Sequence, residues 1–433
     1  MDLIKKIENR RAEIAIIGMG YVGFPLAVEF ASKGFSVTGI DIDEVKVKVI
    51  NHCGSYIPDV DPEDVSPLVR AGKLRATTDF NVLSDMDAMS VCVPTPLNKT
   101  KNPDVSFILS ASEEIKKRLH PGQLLVLEST TYPGTTEELI RPMMEETGLK
   151  VGKDFYLAFS PERVDPGNKL YTIRNTPKVI GACTPECLKH AAAYYSQIVE
   201  KVVPVSSSDT AEMVKLLENT FRAVNIALVN EVTLMCDVLG INVWEVIEAA
   251  ASKPFGYMPF KPGPGLGGHC IPIDPHYLSW KLKSLNYYAR FIELAGEINS
   301  SMPAYVVRKV TDALNSIQRS VKGSRILVMG VAYKKDIDDV RESPALDVVK
   351  LLQLKGGEIL FSDPFVQELK MNGKILTSHQ LTPDLVRSIH CLVVTTDHTA
   401  FDYRMVLENA TMIVDTRNAF GSRGLKSDKI IQL

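Results

Sequence analysis

The chain has 433 residues, enough at about 150 per domain for about three units that each bury a core. Apolar residues make up 45% and charged residues 23% of it, ordinary globular usage that excludes a disordered or fibrous architecture. The net charge is −3 with no strongly basic block, so no nucleic-acid partner is expected.

Residues 1–11 are rich in Lys, Glu and Arg and lack the apolar stretch of an export signal. No run approaches the roughly 18 apolar residues that span a bilayer. The expectation is a cytoplasmic protein with no membrane partner. Seven scattered cysteines, an odd number without compact spacing, do not read as a disulfide framework. Cys183 and Cys187 have no second cysteine pair to complete a ligand set, so they read as small apolar residues and no metal is expected.

Residues 13–18 form a short apolar run that breaks into Gly18-Met19-Gly20-Tyr21-Val22-Gly23 before a helical pattern with Pro25 in its first turn. A second apolar run, 36–40, ends on Asp41. Strand, glycine turn, helix and a strand with a terminal acid make a dinucleotide-binding unit. Further strands are expected at 88–93, 123–128, 155–159, 178–180 and 201–205, with helices such as 105–119 and 135–146 between them. That alternation predicts a parallel sheet covered by helices. Three of the strands run into polar motifs: Pro94-Thr95-Pro96, Ser129-Thr130-Thr131 and Ser160-Pro161-Glu162-Arg163. In an open α/β sheet such carboxyl ends face one ligand crevice.

Residues 209–239 contain neither Gly nor Pro and open with Asp209 and Glu212 at capping-box spacing, which predicts one helix about 45 Å long. A second helix is expected from Asn242, with Glu245 completing another capping box and Pro254 ending it; a loop dense in Gly and Pro follows over 255–275. The last third repeats the first in outline, with strands at 325–329, 358–361, 392–395 and 412–414 and a helix over 344–354. Only Gly330 of a glycine fingerprint stands in its turn. The fold reading is α/β: two Rossmann-like doubly wound domains, 1–206 and 321–433, joined by a long central helix and a helical domain over 207–320.

The glycines come first in the chemistry. Gly18 allows the tight turn, Gly20 lets the backbone approach a pyrophosphate, and Gly23 lets helix and strand pack closely. Asp41 accepts hydrogen bonds from a ribose and repels a 2′-phosphate, which favours NAD over NADP. Lys215 and Asn219 lie four apart, hence on one helix face, and together can hold developing negative charge on a substrate oxygen. A solvated helix face is the alternative reading. Arg222 continues that stripe and can meet a phosphate or sugar hydroxyl.

In Gly265-Leu266-Gly267-Gly268-His269-Cys270, a thiolate suits attack on an aldehyde, and the glycines are expected to clear space for a bulky substrate. Asp274, four residues on, can act as a base or orient a water. His269 lacks the further ligands a metal site needs. Glu162 and Thr130, at strand ends above the inferred nicotinamide position, either place a water or simply cap turns.

With these residues the chain resembles the UDP-glucose/GDP-mannose dehydrogenases over essentially its whole length. The motifs that carry the resemblance are the glycine fingerprint, Val93-Pro94-Thr95-Pro96, Glu128-Ser129-Thr130, Ser160-Pro161-Glu162-Arg163, Glu212-Met213-Val214-Lys215, Gly267-Gly268-His269-Cys270, Tyr333-Lys334-Lys335-Asp336 and Arg341-Glu342-Ser343-Pro344. The resemblance implies that C6 of a nucleotide sugar is oxidised to a carboxylate with two NAD, through an aldehyde and then a thiohemiacetal and a thioester on Cys270. Lys215 and Asn219 would stabilise the oxyanions, with Lys215 also handling the alcohol proton, and Glu162, Thr130 and Asp274 would position or activate water. It implies that NAD lies against Tyr21, Val22, Asp41, Lys46, Thr95, Thr130 and Arg341. The UDP-sugar would touch Arg163, Val164, Lys215, Asn219, Arg222, Gly267, Tyr333, Lys334 and Arg417. The last domain would hold the uridine, and the central helix would form a homodimer.

His269 and Ile273, where UDP-glucose enzymes carry Ser and Lys, resemble the N-acetylhexosamine branch of surface-polysaccharide pathways. Pro254-Phe255-Gly256 stands where mannosamine enzymes show a basic His-x-Arg pair, so UDP-N-acetyl-D-glucosamine is the expected substrate. UDP-N-acetylmannosamine, UDP-N-acetylgalactosamine and UDP-glucose are the alternatives within the family. A two-electron hydroxyacid dehydrogenase and a non-catalytic nucleotide-sugar sensor are the rivals outside it.

Overall fold

The structure, a computed structural model, describes all residues except 1, 58, 99–101, 165–167, 169, 269 and 372. The chain forms two compact units, Met1–Glu218 with His276–Tyr287, and Asn219–Pro275 with Tyr288–Leu433.

In the first unit, short apolar segments become eight strands: β1 (Glu13–Ile17), β2 (Ser36–Ile40), β3 (Leu74–Thr77), β4 (Ala88–Val91), β5 (Leu124–Leu127), β6 (Tyr156–Phe159), β7 (Lys178–Ala182) and β8 (Val202–Pro204). Their spatial order is β3-β2-β1-β4-β5-β6-β7-β8, which reverses direction between β1 and β4 as in a doubly wound nucleotide-binding sheet. Ile14, Ala15, Ile16 and Ile17 are all buried, as a sheet covered on both faces requires. Strand β3 went unpredicted because exposed Arg75 interrupts buried Leu74 and Ala76, the weak pattern of an edge.

Two strands, β7 and β8, run parallel to each other but against the rest of the sheet, a departure from the expected parallel order. Strand β7 pairs antiparallel with β6, Ala158 opposite Ala182 and Phe159 opposite Gly181. Its first residue, Lys178, therefore lies at the carboxyl end of β6, where polar strand ends collect.

The second unit holds a five-stranded parallel sheet built from β9 (Arg325–Met329), β10 (Glu358–Ser362), β13 (Cys391–Val394), β14 (Ile413–Asp415) and β15 (Ile430–Gln432), in the order β10-β9-β13-β14-β15. A hairpin of β11 (Glu368–Met371) and β12 (Lys374–Thr377) was not predicted. Ile326 on β9 packs with Val306 and Val310 of a 27-residue helix, Arg290–Ser316, while Leu327 and Met329 pack with Val406 and Phe420. Sequence reading missed that helix, and Pro303 within it is the reason.

The central helix runs Ser208–Leu239, about 48 Å at 1.5 Å per residue. The stretch 207–320, read from the sequence as one block, divides between the units. Ala211 joins the core of the first sheet, Met302 to Leu314 join that of the second, and Val229, Cys236, Val243, Trp244 and Ile247 form a smaller cluster. The next helix is Val243–Ala251, with the Asn242 side chain accepting from Trp244 N and Glu245 N.

The Asp209/Glu212 capping box does not form. The Glu212 carboxylate turns from its own helix end and accepts from Gly134 N (2.7 Å), Thr136 N (3.0 Å) and Thr136 Oγ1 (2.7 Å). Gly134 and Thr136 open a π-helical turn, Thr135–Ile140, whose first amides lack intrahelical partners, so a buried acceptor from elsewhere satisfies them.

Burial pushes the Glu212 carboxyl up to about 7 against the pull of these hydrogen bonds. Between pH 4.5 and 7 the folded protein then holds this proton more tightly than the unfolded chain, so the stabilisation is full below the window and lost as pH rises through it. Denaturant titrations across this range should show wild-type stability falling relative to Glu212→Gln by of the order of 1 kcal/mol per pH unit. Parallel curves would refute the assignment.

Candidate active site

The three fingerprint glycines differ in the space around them. Gly18 has φ +91°, and a Cβ there would lie 2.6 Å from the Cys92 carbonyl oxygen. A Cβ on Gly23 would sit 1.9 Å from the Gly18 carbonyl oxygen, so close strand–helix packing excludes any side chain. Nothing lies within 4 Å of the corresponding point at Gly20, which leaves that backbone open to a ligand's approach. The helix Gly23–Ser32 presents its N-terminus here, beside Tyr21 and Val22. Asp41, at the carboxyl end of β2, accepts from Met19 N (2.9 Å) and Asp43 N (3.0 Å) and pairs with Lys46 (3.2 Å). These residues fit a dinucleotide: an open turn, a helix N-terminus for phosphates and an acid beside them for a ribose.

At the carboxyl ends of β4, β5 and β6 lie Thr95, Thr130 and Glu162. Lys215, buried on the central helix, donates to Thr130 Oγ1 at 2.6 Å, so two candidate residues meet. Glu162 is held from three sides: Oε1 accepts from Arg163 N and Val164 N, both at 2.7 Å, and Oε2 pairs with Lys178 at 3.0 Å. Burial opposes its charge, but Lys178 and these hydrogen bonds prevail and hold its carboxyl below the usual range. The Lys178 ammonium also binds Glu128 at 2.6 Å, and Glu128 accepts from the Tyr195 hydroxyl at 2.5 Å. Arg163 forks onto Glu218 (3.1 and 2.6 Å) and donates to the Pro177 carbonyl.

The second unit carries the thiol. Cys270 is exposed, and its carbonyl oxygen accepts from Ile273 N and Asp274 N as the helix Asp274–Ser284 begins. No disulfide forms at any of the seven cysteines. Asp274, 1% exposed, accepts from Asn219 Nδ2 at 2.6 Å, which joins two more candidates. Arg222 stands exposed on the same helix, and His269 lies outside the described residues.

The glycines before Cys270 do not clear space for a substrate as expected. A Cβ on Gly267 would lie 2.6 Å from Tyr333 Cβ, and one on Gly268, at φ +90°, 2.9 Å from the Tyr333 ring. Protein fills that space, so these glycines let the loop lie flat on the turn after β9. In that turn Gly268 N donates to the Arg341 carbonyl, while the Arg341 guanidinium forks onto Asp339 (2.7–3.2 Å). Lys334, next to Tyr333, is half-buried there. Arg417 donates from Nε to the Thr395 carbonyl and lies so close that a Cβ on Gly263 would meet its Nη1 at 2.3 Å.

Sequence reading missed several supports. Asn230 and Asn299, both buried, form a clasp: Asn230 Oδ1 accepts from Gly263 N (3.0 Å), its Nδ2 donates to Asn299 Oδ1 (2.9 Å), and Asn299 Nδ2 donates to the Ala223 carbonyl (3.1 Å). Neither lies in a motif; an amide inside the Gly- and Pro-free run was the available signal. Lys178, Glu128 and Tyr195 were missed as a set because the reversal of β7 is not written in local pattern. The pair of His398 Nε2 with Asp363 (3.0 Å) was missed as well; Asp363 also accepts from Val331 N. Among the described residues no cluster of three or more His, Cys, Asp or Glu could hold a metal, and no helix is long and apolar enough to cross a membrane.

Three domain descriptions of the UDP-glucose/GDP-mannose dehydrogenase family match the chain in order: the NAD binding domain over residues 12–199, the central domain over 209–301 and the UDP binding domain over 327–422. The UDP-N-acetyl-D-glucosamine 6-dehydrogenase of Pseudomonas aeruginosa is 36% identical across 82% of this chain and 83% of its own. The NDP-N-acetyl-D-galactosaminuronic acid dehydrogenase of Ralstonia solanacearum is 35% identical across 98% of this chain and 100% of its own. The solved structure of UDP-D-ManNAc dehydrogenase from Pyrococcus horikoshii matches with a TM-score of 0.88 at 33% identity, covering 97% of this chain and 98% of that one.

The Asn230 clasp makes a prediction. Asn230→Ala leaves Gly263 N and Asn299 Oδ1 buried without their partner, so denaturant unfolding should show a loss of about 1–3 kcal/mol. The rate at which iodoacetamide alkylates Cys270 in the folded variant should change too. An unaltered midpoint and an unaltered rate together would reject the clasp as a support of the thiol loop.

Proposed function

The chain belongs to the UDP-glucose/GDP-mannose dehydrogenase family of NAD-dependent oxidoreductases, and from that premise we propose that it oxidises the C6 hydroxyl of a UDP-N-acetylhexosamine, foremost UDP-N-acetyl-D-glucosamine, to the carboxylate. The observation that carries the reading is Cys270, an exposed thiol on a loop whose backbone is held by hydrogen bonds before and after it. A two-electron alcohol oxidation has no use for such a thiol; an aldehyde that must be oxidised again does.

NAD, when bound, supplies the acceptor for one hydride in each of two steps. Lys215 takes the C6 hydroxyl proton in the first, and with Asn219 it stabilises the negative oxygen that develops. Cys270 Sγ then bonds to the aldehyde carbon while its proton passes to the aldehyde oxygen, giving a thiohemiacetal. Loss of the remaining C6 hydride and the hydroxyl proton leaves a thioester. Water adds to that carbonyl, the carbon–sulfur bond breaks, and the acid and the thiol are released. Glu162, Thr130 and Asp274 position or activate the water; the hydrogen bond from Asn219 supports an orienting role for Asp274.

Gly18, Gly20, Tyr21, Val22, Gly23, Asp41, Lys46, Thr95, Thr130 and Arg341 are the proposed NAD residues, with Asp41 selecting against a 2′-phosphate. Arg163, Val164, Arg222, Gly267, Tyr333, Lys334 and Arg417 are those proposed for the UDP-sugar, alongside Lys215 and Asn219. The roles divide over 1–206 for cofactor, 207–320 for thiol and dimerisation, and 321–433 for nucleotide, in a cytoplasmic homodimer serving surface-polysaccharide synthesis. Exposed Leu217, Phe221, Leu228 and Met235 on the central helix support the dimer. The name of the Pseudomonas relative and the absence of a basic pair at Pro254-Phe255-Gly256 support the glucosamine substrate.

Two measurements test this. Wild-type enzyme should yield two NADH per uronate, and Cys270→Ser should lower uronate formation by about three orders of magnitude or more while still folding. Uronate at the wild-type rate from that variant would sink the thioester route. In an NADH assay across UDP-N-acetylglucosamine, UDP-N-acetylgalactosamine, UDP-N-acetylmannosamine and UDP-glucose, the first should show the highest kcat/KM. A preference for UDP-glucose would overturn the choice of branch.

A further inference from the structure

We propose that Lys178 is a positioning residue for the hydrolytic half of this reaction, acting through Glu162, whose carboxylate it keeps ionised and fixed. The inference rests on the reading that Glu162 places the water that attacks the thioester.

The reversal of β7 is its origin. Ala158 faces Ala182 and Phe159 faces Gly181, and extending that one-for-one register beyond the strand sets residue 162 opposite residue 178. In a wholly parallel sheet the carboxyl end of β6 would be flanked by another carboxyl end. Here the amino end of β7 supplies a lysine, with the ammonium 2.6 Å from Glu128 and 3.0 Å from Glu162. All three side chains are less than a tenth exposed.

One cation between two buried carboxylates is a sensitive arrangement, because burial favours the neutral acid while paired charge and hydrogen bonds to the carboxylate oppose it. Other groups share the field. Lys215 on the central helix favours the charged form of Glu162, but its ammonium is engaged with Thr130. Arg163, in the same loop, is turned to Glu218. Tyr195 donates to Glu128, and Cys92, after β4, feels both carboxylates and has its thiol pushed up, chiefly by burial. Lys178 is thus the cation that decides the state of Glu162. Glu162 Oε1 in turn accepts the Arg163 and Val164 amides, so the loop meant to meet the sugar nucleotide depends on the same ion pair.

The test follows single turnovers of UDP-N-acetylglucosamine with NAD over pH, reading the first NADH and the release of uronate separately. In the wild type, uronate release should show no Glu162-dependent fall above pH 4.5, the ordinary position of a Glu carboxyl. In Lys178→Met a fall toward acid should appear about 1–3 pH units higher, while the pH profile of the first NADH stays in place. Lys178→Arg, which keeps the charge, should restore the wild-type release profile. Should Lys178→Met not accumulate as folded protein, Lys178→Met with Glu128→Gln, which strands only one carboxylate, is read in the same assay and should show the same shift. A folded variant whose release profile coincides with the wild type, or whose first NADH shifts equally, overturns the proposal while the reading of function survives. Wild-type enzyme that makes no uronate from any UDP-sugar overturns that reading, and this inference with it.

Discussion

A parallel sheet gathers the carboxyl ends of its strands along one edge, and the backbone amides that turn away from that edge need acceptors. Both sheets meet the need with an aspartate at the end of the strand beside the first. Asp41 accepts from Met19 N in one unit, and Asp363 accepts from Val331 N in the other. What surrounds the two acids differs. Asp41 has Lys46 beside it and an open turn at Gly20, whereas Asp363 accepts from Val331 N, Ala332 N, Phe365 N, Val366 N and His398 Nε2. An acid so fully engaged closes its turn, while the turn beside Asp41 stays open at Gly20. The same local device therefore leaves its turn open at Gly20 in one sheet and ties its turn down in the other.

The central helix converts sequence spacing into chemistry. Glu212 ties it to the turn that follows β5, and one turn further Lys215 reaches Thr130 of the same connection. Another turn on, Asn219 holds Asp274, and Asn230 clasps the backbone at Gly263. Each of these side chains is satisfied by a partner outside the helix, so each sets the helix's rotation as well as its own position. A register slip of one residue would break all four, which is how a long Gly- and Pro-free helix keeps polar groups on one face without fraying into solvent.

What the sequence made legible was whatever local geometry enforces. The roles of Gly18 and Gly23 follow from a φ and from a Cβ that has no room, and both can be read from spacing alone. The buried apolar runs of β1, β5 and β9 announce covered strands, and Lys215, Asn219, Cys270 and Asp274 stand out because their types are chemically loaded. The rest depended on distant partners. Whether β7 runs up or down is decided by tertiary packing, so Lys178 looked like an ordinary strand opening. Glu212 sat at the right spacing for a capping box, but a π-helical turn 76 residues away offered better donors. The helix Arg290–Ser316 contains Pro303 and the clasp residue Asn299, either of which locally argues against a helix.

In the thiol loop the glycines serve close packing and not the open space the sequence suggested. An exposed nucleophile needs a backbone that does not wander, since a displacement of about 1 Å at the attacking atom costs about a hundredfold in rate. A loop gains that rigidity by lying against something rigid, and any side chain would hold it away. Gly267 and Gly268 bring the backbone down onto Tyr333, with Gly268 N bonded to the Arg341 carbonyl, while Gly263 is gripped by Asn230. Cys270 stands two residues after Gly268, and its own carbonyl starts the next helix through Ile273 and Asp274. The sulfur is thus the exposed end of a segment fixed before and after it. That accounts for an exposed thiol held in place on a glycine-rich loop, the kind of segment usually chosen for mobility.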